Sequence, residues 1–419
     1  MSTKVTGIYD ARKELGWGKS IIMGLQQCFA MFGATILVPV LTNSYGEGIV
    51  GLSASVTLFC AGVATLWFHF ITKGKVPVFL GSSFAFLGMY QAIIPQYGKE
   101  YATGGVVAAG GLYVILAILI KVLGTKRVMK LFPPAVCGPL IILIGINLAG
   151  SAIDNLFTNW MLGIVPILVI IICNTWGKGM IKIIPVLISL IVSYIVAIIM
   201  GAVDFSAVGS ANWVGLPNFH PPKFNADAIV AGLAVAVAAM VEHVGDVMAI
   251  GATCGKNFIA DPGLTRTLLG DGIGTSLAGL LGGPANTTYS ENTGVVALTR
   301  VFDPFVMRIA AVMAIILSLS PKFEAVINSI PAAIIGGISF VLYGMIAATG
   351  IRTIVENQVD YVNMRNVLIT AIILVSGLGF NHKNIVIGSV AFGGLACAAV
   401  FGIILNAILP GKDYEFKED

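Results

Sequence analysis

The feature that most restricts the fold of this chain is a succession of fourteen apolar stretches, most of them about 17 to 25 residues long, the length that crosses a bilayer. A segment at membrane depth has no water to bond its backbone, so it forms a helix unless protein covers it. The 419 residues are 57% hydrophobic and 11% charged, whereas soluble domains are about a quarter charged. The sequence therefore predicts an all-α polytopic membrane protein. The predicted spans are 20–42, 49–72, 76–92, 104–124, 129–150, 157–175, 179–203, 225–250, 263–282, 284–299, 303–320, 325–349, 364–380 and 385–409.

The basic residues predict how these spans are oriented. Of the 24 Lys and Arg, all but Lys99, Lys223, Lys322 and Lys383 fall on the side of the N-terminus. Because basic loops are enriched on the cytoplasmic side, both termini are predicted to be cytoplasmic, with an even number of spans in the cell membrane. This distribution explains the net charge of +4 without a nucleic-acid partner. The charged N-terminus lacks an apolar core and cleavage site, so no removable signal peptide is expected.

Two predicted spans are poor helices, and they indicate an internal repeat. The segments VPVFLGSSFAFLG, from Val76, and GGPANTTYSENTGV, from Gly282, contain Gly, Pro, Ser, Thr or Asn. Irregular backbone is tolerated at membrane depth only where protein buries it or it lines a cavity. Residues 82–84 (SSF) match residues 287–289 (TTY), about half the chain apart. Seven spans is an odd number, so the two seven-span repeats are inverted, and paired interruptions in such repeats point to a transporter's binding site.

Four carboxylates lie at membrane depth, where each charge costs about 2.5 to 3.5 kcal/mol on insertion scales. Glu242 and Asp246 are one helical turn apart and share a face, which is predicted to line a cavity. Glu291 follows the second interruption, where a helix N-terminus offers free N–H groups to a substrate oxygen. Asp271, flanked by glycines, fits either a functional role or a helix contact. His243, rotated by about 100° from Glu242, is interpreted as a packing or helix-contact residue rather than a ligand.

The residues at the two interruptions indicate the kind of ligand. Carboxylate acceptors, exposed backbone and the aromatic residues Phe84 and Tyr289 suit a small, flat, neutral heterocycle with N–H donors and carbonyl acceptors. No cluster of Lys or Arg accompanies them in the sequence, which disfavours an anionic substrate. The six cysteines have no paired spacing, so they are predicted to be buried apolar residues. No cofactor and no metal site are expected.

The motifs together resemble the nucleobase–ascorbate transporter family, within it the branch of bacterial uracil permeases, over essentially the whole chain. They are LQQCFAMFGATILVPVLT in span one, KVPVFLGSSFAF in span three, EHVGD in span eight and GGPANTTYSENTGVVALTR in span ten. The last contains the family pattern of an acid or amide, Asn, any residue, Gly, four residues, Thr and Arg, which falls on Glu291, Asn292, Gly294, Thr299 and Arg300.

The resemblance implies a core domain and a gate domain, with short strands interrupting spans three and ten. It further implies a homodimer in membrane lipid and an elevator-like shift of the core against the gate. The implied division is a cytoplasmic N-terminal segment 1–19, core parts 20–124 and 225–320, gate parts 129–203 and 325–409, and a cytoplasmic tail 410–419.

The resemblance also implies roles for individual residues. Glu242 and Glu291 would bond the pyrimidine ring, the backbone amides of Phe84 and Ser290 would reach a ring carbonyl, and Phe84 and Tyr289 would pack on the ring. Five residues form a second tier of candidates. They are Asp271, Asn292, Gln27, Ser83 and Thr288.

Two positions depart from the uracil permeases, which carry His where this chain has Asp246 and Gln27. With Asp246, two carboxylates meet in a desolvated site, where double ionisation is disfavoured and the pair titrates as a unit. We therefore expect Glu242 and Asp246 to share the proton that couples to uracil import. Sodium coupling remains open, because two carboxylates and backbone carbonyls also suit a small cation.

Two further alternatives concern the function itself. A xanthine or urate transporter of the same fold is favoured by Asp271, because purine-specific relatives tend to carry an acid in span nine. An intramembrane aspartyl protease could use Asp246 and Asp271 as a dyad. That class requires Gly, any residue, Gly before the Asp, but Leu268, Leu269 and Gly270 precede Asp271. The sequence therefore predicts a transporter and not an enzyme.

Overall fold

The structure, a computed structural model, describes residues 6–44, 49–380, 385–387 and 390–411, and most of them are helical. The first five residues of the predicted N-terminal segment and all but the first two of the predicted tail lie outside this part. The helices are α1 Ala11–Glu14, α2 Gly16–Asn43, α3 Ala54–Ile71, α4 Leu87–Tyr97, α5 Lys99–Leu123, α6 Thr125–Met129, α7 Pro134–Phe157, α8 Trp160–Trp176, α9 Met180–Ile183, α10 Pro185–Ile199, α11 Ser206–Ser210, α12 Ala226–Cys254, α13 Leu264–Leu280, α14 Ser290–Thr299, α15 Pro304–Ser318, α16 Pro321–Asn328, α17 Ala332–Glu356, α18 Met364–Gly379 and α19 Gly394–Ile408. The strands are β1 Leu80–Ser82, β2 Asn286–Thr288, β3 Ile385–Ile387 and β4 Val390–Phe392.

Several of these helices are suited to cross a membrane. Within the described residues, six are long and apolar enough on their own: α2, α3, α5, α7, α12 and α17. The pair α15 and α16 meets the same criteria together, with a bend of 85°, and α8, α10, α18 and α19 are shorter apolar helices. Length and composition therefore indicate a chain that passes the membrane several times.

The predicted spans that begin at 325 and 385 start well before the helices observed there. The stretch from 325 begins inside α16, and α17 starts only at Ala332, because Pro331 lacks a backbone N–H and restricts the residue before it. The stretch from 385 begins as the antiparallel pair of β3 and β4, and α19 starts only at Gly394. The β-branched sequence IVI at 385–387 favours a strand at that point.

Strands β1 and β2 pair antiparallel inside the helical body, with Leu80 opposite Thr288 and Ser82 opposite Asn286. A threonine hydroxyl on a neighbouring helix bonds the outer edge of each strand. Thr65 accepts from the Leu80 N–H at 2.9 Å and donates to its carbonyl at 3.2 Å. Thr275 likewise accepts from the Asn286 N–H at 3.3 Å and donates to the Asn286 carbonyl at 3.1 Å. The strands are thus buried without unpaired edges at these two residues, as irregular backbone at membrane depth requires.

The N-terminal segment ties together the ends of three later helices. Ile8 bonds the backbone on both sides of Val301, through the Arg300 carbonyl and the Phe302 N–H, each at 2.8 Å. The Ala11 N–H donates to the Asp303 carboxylate at 2.8 Å, and the Tyr9 hydroxyl donates to the Cys254 carbonyl at 2.9 Å. The ends of α12 and α14 and the start of α15 therefore share one anchor.

Small residues bring α5 and α12 close together. A Cβ at Gly105 would collide with the Ala228 carbonyl oxygen, and one at Gly232 would collide with the Gly105 carbonyl oxygen. Such close backbone approach between spanning helices requires glycine or a similarly small residue. The position of α12, which carries Glu242 and Asp246, thus depends on Gly105 and Gly232.

We expect Gly105→Ala to lower the midpoint of thermal unfolding of the purified protein, because overpacking a tight contact costs about 1 to 3 kcal/mol. Gly111, in the same helix, has no atom within 4 Å of an added Cβ. Gly111→Ala is therefore the matched control, and it should leave the midpoint unchanged or raise it slightly. Equal losses in both variants would show that the close contact is not the cause.

Candidate functional site

Strands β1 and β2, with the residues that lead from them into Phe84–Phe86 and α14, form a break between helices. Three carboxylates lie close together where α12 passes this break. Glu242 and Asp246 lie on α12, and Glu291 lies in the first turn of α14. All three side chains are half-buried, and Ser290 beside them is exposed. The carboxylates are close enough to interact electrostatically. The structure thus brings together acids that are separated by almost fifty residues of sequence.

Asp246 is fixed to the break by a side-chain hydrogen bond. The hydroxyl of Thr288, the last residue of β2, donates to Asp246 Oδ2 at 2.6 Å. At 2.6 Å the bond is at the short end of the range for O–H···O hydrogen bonds. The contact therefore joins the carboxylate pair of α12 directly to the strand that leads into Glu291.

The residue after Glu291 is anchored to α2. The Asn292 side-chain amide donates to Gln27 twice, to the backbone carbonyl at 2.9 Å and to Oε1 at 2.8 Å. Both side chains are buried. This pair sets the rotation of α14 about its axis, so Gln27 and Asn292 hold the helix that presents Glu291.

Tyr289 is held at the other side of the break. Its hydroxyl donates to the Ser82 carbonyl at 2.9 Å and accepts from Thr35 at 3.3 Å. Its ring covers Gly81, where a Cβ would collide with ring atoms. The hydroxyl is therefore bonded to β1 and α2, and the whole side chain is almost completely buried, with 4% of its surface exposed.

Phe84 and Ser83 begin the short helical turn Phe84–Phe86 that leads from β1 into α4. Phe84 is half-buried, and Ser83 is completely buried. The Ser83 hydroxyl has no hydrogen-bond partner among the described residues. Phe84 and Ser290 thus occupy corresponding places, each at the start of the helical segment that follows a strand of the break.

Asp271, on α13, lies against the side of α12 that carries His243. Its Oδ2 is 2.8 Å from His243 Nδ1, and both side chains are completely buried. The Phe68 ring packs edge-on against the imidazole, with 6.4 Å between ring centroids. The sequence placed His243 in packing and left Asp271 open between a helix contact and a functional role. The structure pairs the two residues across α12 and α13.

The described residues contain no group of three or more His, Cys, Asp or Glu that could hold a metal ion. The polar network at the break instead consists of carboxylates, hydroxyls, amides and backbone. Sequence reasoning missed the partners Thr65, Thr275 and Thr35. The available signal was their position inside apolar helices, with Thr65 on α3, Thr275 on α13 and Thr35 on α2.

Comparisons with known proteins match this chain over most of its length. A family model named Xan_ur_permease and described as a permease family matches residues 18–385. The uracil permease of Bacillus subtilis is 40% identical over 96% of this chain and 95% of its own length. The uracil permease of Bacillus caldolyticus is also 40% identical, over 94% of this chain and 93% of its own length.

Two solved structures share the fold. The transmembrane domain of a cyanobacterial bicarbonate transporter, BicA, matches with a TM-score of 0.63 at 16% identity, covering 96% of this chain and all of that chain. SLC26A9 matches with a TM-score of 0.68 at 10% identity, covering 96% of this chain and 66% of that chain. The prediction of a mostly helical, multi-pass membrane protein is confirmed.

We expect Asp271→Asn to lower the midpoint of thermal unfolding strongly, because breaking one side of a buried pair costs about 3 to 5 kcal/mol. The double variant His243→Leu with Asp271→Leu should recover much of the loss, since it removes both buried polar groups.

Asp261→Asn provides the matched control. It breaks an ion pair of 2.6 Å with Lys75 in which both side chains are largely exposed, and such pairs contribute about 0 to 1 kcal/mol. A double variant that is less stable than Asp271→Asn would contradict the expected coupling between His243 and Asp271.

Proposed function

The chain belongs to the permease family that the resemblance predicted, and on this premise we propose that it imports uracil together with a proton. Membership of a permease family makes the chain a transporter rather than an enzyme. The observation that carries the proposal is the meeting of Glu242 and Glu291 at a strand break inside the membrane domain.

The proposed site matches the bonding pattern of a pyrimidine ring. Uracil has two N–H donors and two carbonyl acceptors on one flat ring. Glu242 and Glu291 provide acceptors for the N–H groups. The N–H groups at the start of a helix have no partner within the helix, so those of Ser290 and Phe84 are suited to a ring carbonyl, while the rings of Phe84 and Tyr289 cover the ligand.

The proposed coupling ion is the proton shared by Glu242 and Asp246. The two acids are one turn apart on α12 and half-buried, so ionising both at once brings like charges together in a desolvated site. Thr288 leaves only part of the Asp246 carboxylate engaged, which allows a proton to bridge the two acids. Binding a proton with uracil neutralises one charge before the site moves.

The second-tier residues act through these acids. Gln27 and Asn292 orient Glu291, and Thr288 orients Asp246, whereas the buried hydroxyl of Ser83 stays beside Phe84 without a partner among the described residues. Asp271 orients α12 through His243. In this proposal the residues other than Ser83 position contact groups and do not themselves need to touch uracil.

The finer architecture belongs to the same proposal. Fourteen spans in two inverted repeats would form core parts 20–124 and 225–320 and gate parts 129–203 and 325–409, in a homodimer in the cell membrane with cytoplasmic termini. The matching threonine bonds to β1 and β2 support the repeat. An exposed strip on α12 at Gly245, Met248 and Ala252 continues from the acids towards Lys256, which supports access from the cytoplasmic side in an elevator-like cycle.

We expect Glu242→Gln and Glu291→Gln each to weaken uracil binding about ten- to a hundredfold, because a hydrogen bond to a charged group contributes about 1.5 to 3 kcal/mol. Binding to purified protein is measured by isothermal titration calorimetry. Glu356→Gln, on the exposed end of α17, is the control and should bind normally. Normal binding in both site variants, or displacement of uracil by xanthine at lower concentration than by uracil itself, would overturn the substrate assignment.

We expect uracil binding to strengthen as the pH falls from about 8 to about 5, because the loaded site holds the shared proton. In Asp246→Asn a neutral amide replaces one acid of the pair, so the dependence of uracil binding on pH should largely disappear. Uptake into proteoliposomes, with and without sodium and a protonophore, tests the coupling ion. Uptake that requires sodium and resists the protonophore would exclude the proton.

A further inference from the structure

A cavity lies away from the carboxylates, between α2, α10, α15 and α16. Its volume is about 530 Å³, within the range of about 300 to 1,000 Å³ that holds small-molecule ligands. Its walls include Cys28 and Phe32 of α2, Leu187 and Leu190 of α10, Met313 of α15 and Phe323 of α16.

The lining of this cavity is apolar. Tyr194 is the one lining residue with a hydroxyl, all lining residues being in the described part of the chain, and that hydroxyl is hydrogen-bonded to Ser329 Oγ at 2.5 Å. Apolar cavities stay dry because water finds no partners in them. A nucleobase, which needs several hydrogen bonds, is excluded for the same reason.

The mouth of the cavity faces the surroundings of the spanning helices. Leu25, Phe29, Ile191 and Ile316 line it and are all exposed. Leu25 and Phe29 lie in the middle part of α2, the 28-residue apolar helix Gly16–Asn43, which places the mouth at hydrocarbon depth. The medium at the mouth is therefore lipid chains and not water.

We propose that this cavity is a binding site for one acyl chain of a membrane lipid. A hydrocarbon chain fits the apolar walls, the mouth at hydrocarbon depth and the volume of the cavity together. A chain entering sideways fills the space without leaving any polar atom unpaired.

A bound chain would contact the helix that holds the substrate site. Cys28, in the cavity wall, follows Gln27, which binds Asn292 beside Glu291. The walls α2 and α10 also belong to the proposed core and gate, so a chain between them opposes their approach. This consequence rests on the proposed function, whereas the acyl-chain site itself does not.

The test uses a phosphatidylethanolamine with a photoactivatable diazirine in its acyl chain, incorporated with the full-length protein into proteoliposomes. After illumination, mass spectrometry identifies the labelled residues. We expect labels on the cavity-facing residues of α2 and α10. Leu190→Trp, which fills the cavity, should lose these labels, and the smaller change Leu190→Phe should lose part of them.

Ile195→Trp is the matched control, because Ile195 lies on α10 outside the cavity lining and is exposed. It should keep the cavity labels. An unchanged size-exclusion profile and an unchanged midpoint of thermal unfolding verify that each variant is folded. Labels that persist in both Leu190 variants, or that occur only on outward-facing residues, would overturn the proposal. Labelling requires no transport, so loss of uracil binding in the unmodified chain would overturn the proposed function alone.

Discussion

The need to pair every backbone polar group at membrane depth is the constraint on which the rest of this structure depends. Helices satisfy it internally, but two segments of this chain leave the helical path among the packed helices. They pair with each other, and Thr65 and Thr275 bond their outer edges. Because the break is stabilised in this way, two helical segments can begin at Phe84 and Ser290 inside the protein, with unpaired N–H groups at their starts.

Helix α12 connects that break to the body of the protein through two different faces. Glu242 and Asp246 point to the break, where Thr288 binds the second of them. His243, rotated by about 100° from Glu242 on the helix, meets Asp271 among completely buried side chains. Much of the remaining surface of α12 consists of alanine and glycine. These small residues do little to fix how the helix is rotated about its axis. The polar contacts on both faces therefore determine its rotation, and with it the direction of the two acids.

The sequence carries the parts of this arrangement that depend on local order along the chain. The lengths of apolar stretches, the two interruptions and the spacing of Glu242 and Asp246 are all properties of short segments. The pairs His243–Asp271 and Gln27–Asn292 are not, because each depends on how two distant helices are rotated against each other. The strand at Ile385 was missed because a short apolar run is compatible with both a helix and a strand.

The attachment of the N-terminal segment has a consequence for the order in which the protein is made. Ile8 and Ala11 are synthesised well before their partners Val301 and Asp303, which follow about three hundred residues later. Contacts of such long sequence separation form late. The segment therefore stays unattached while the chain between is synthesised. It can form all of its contacts only when α12, α14 and α15 are in place.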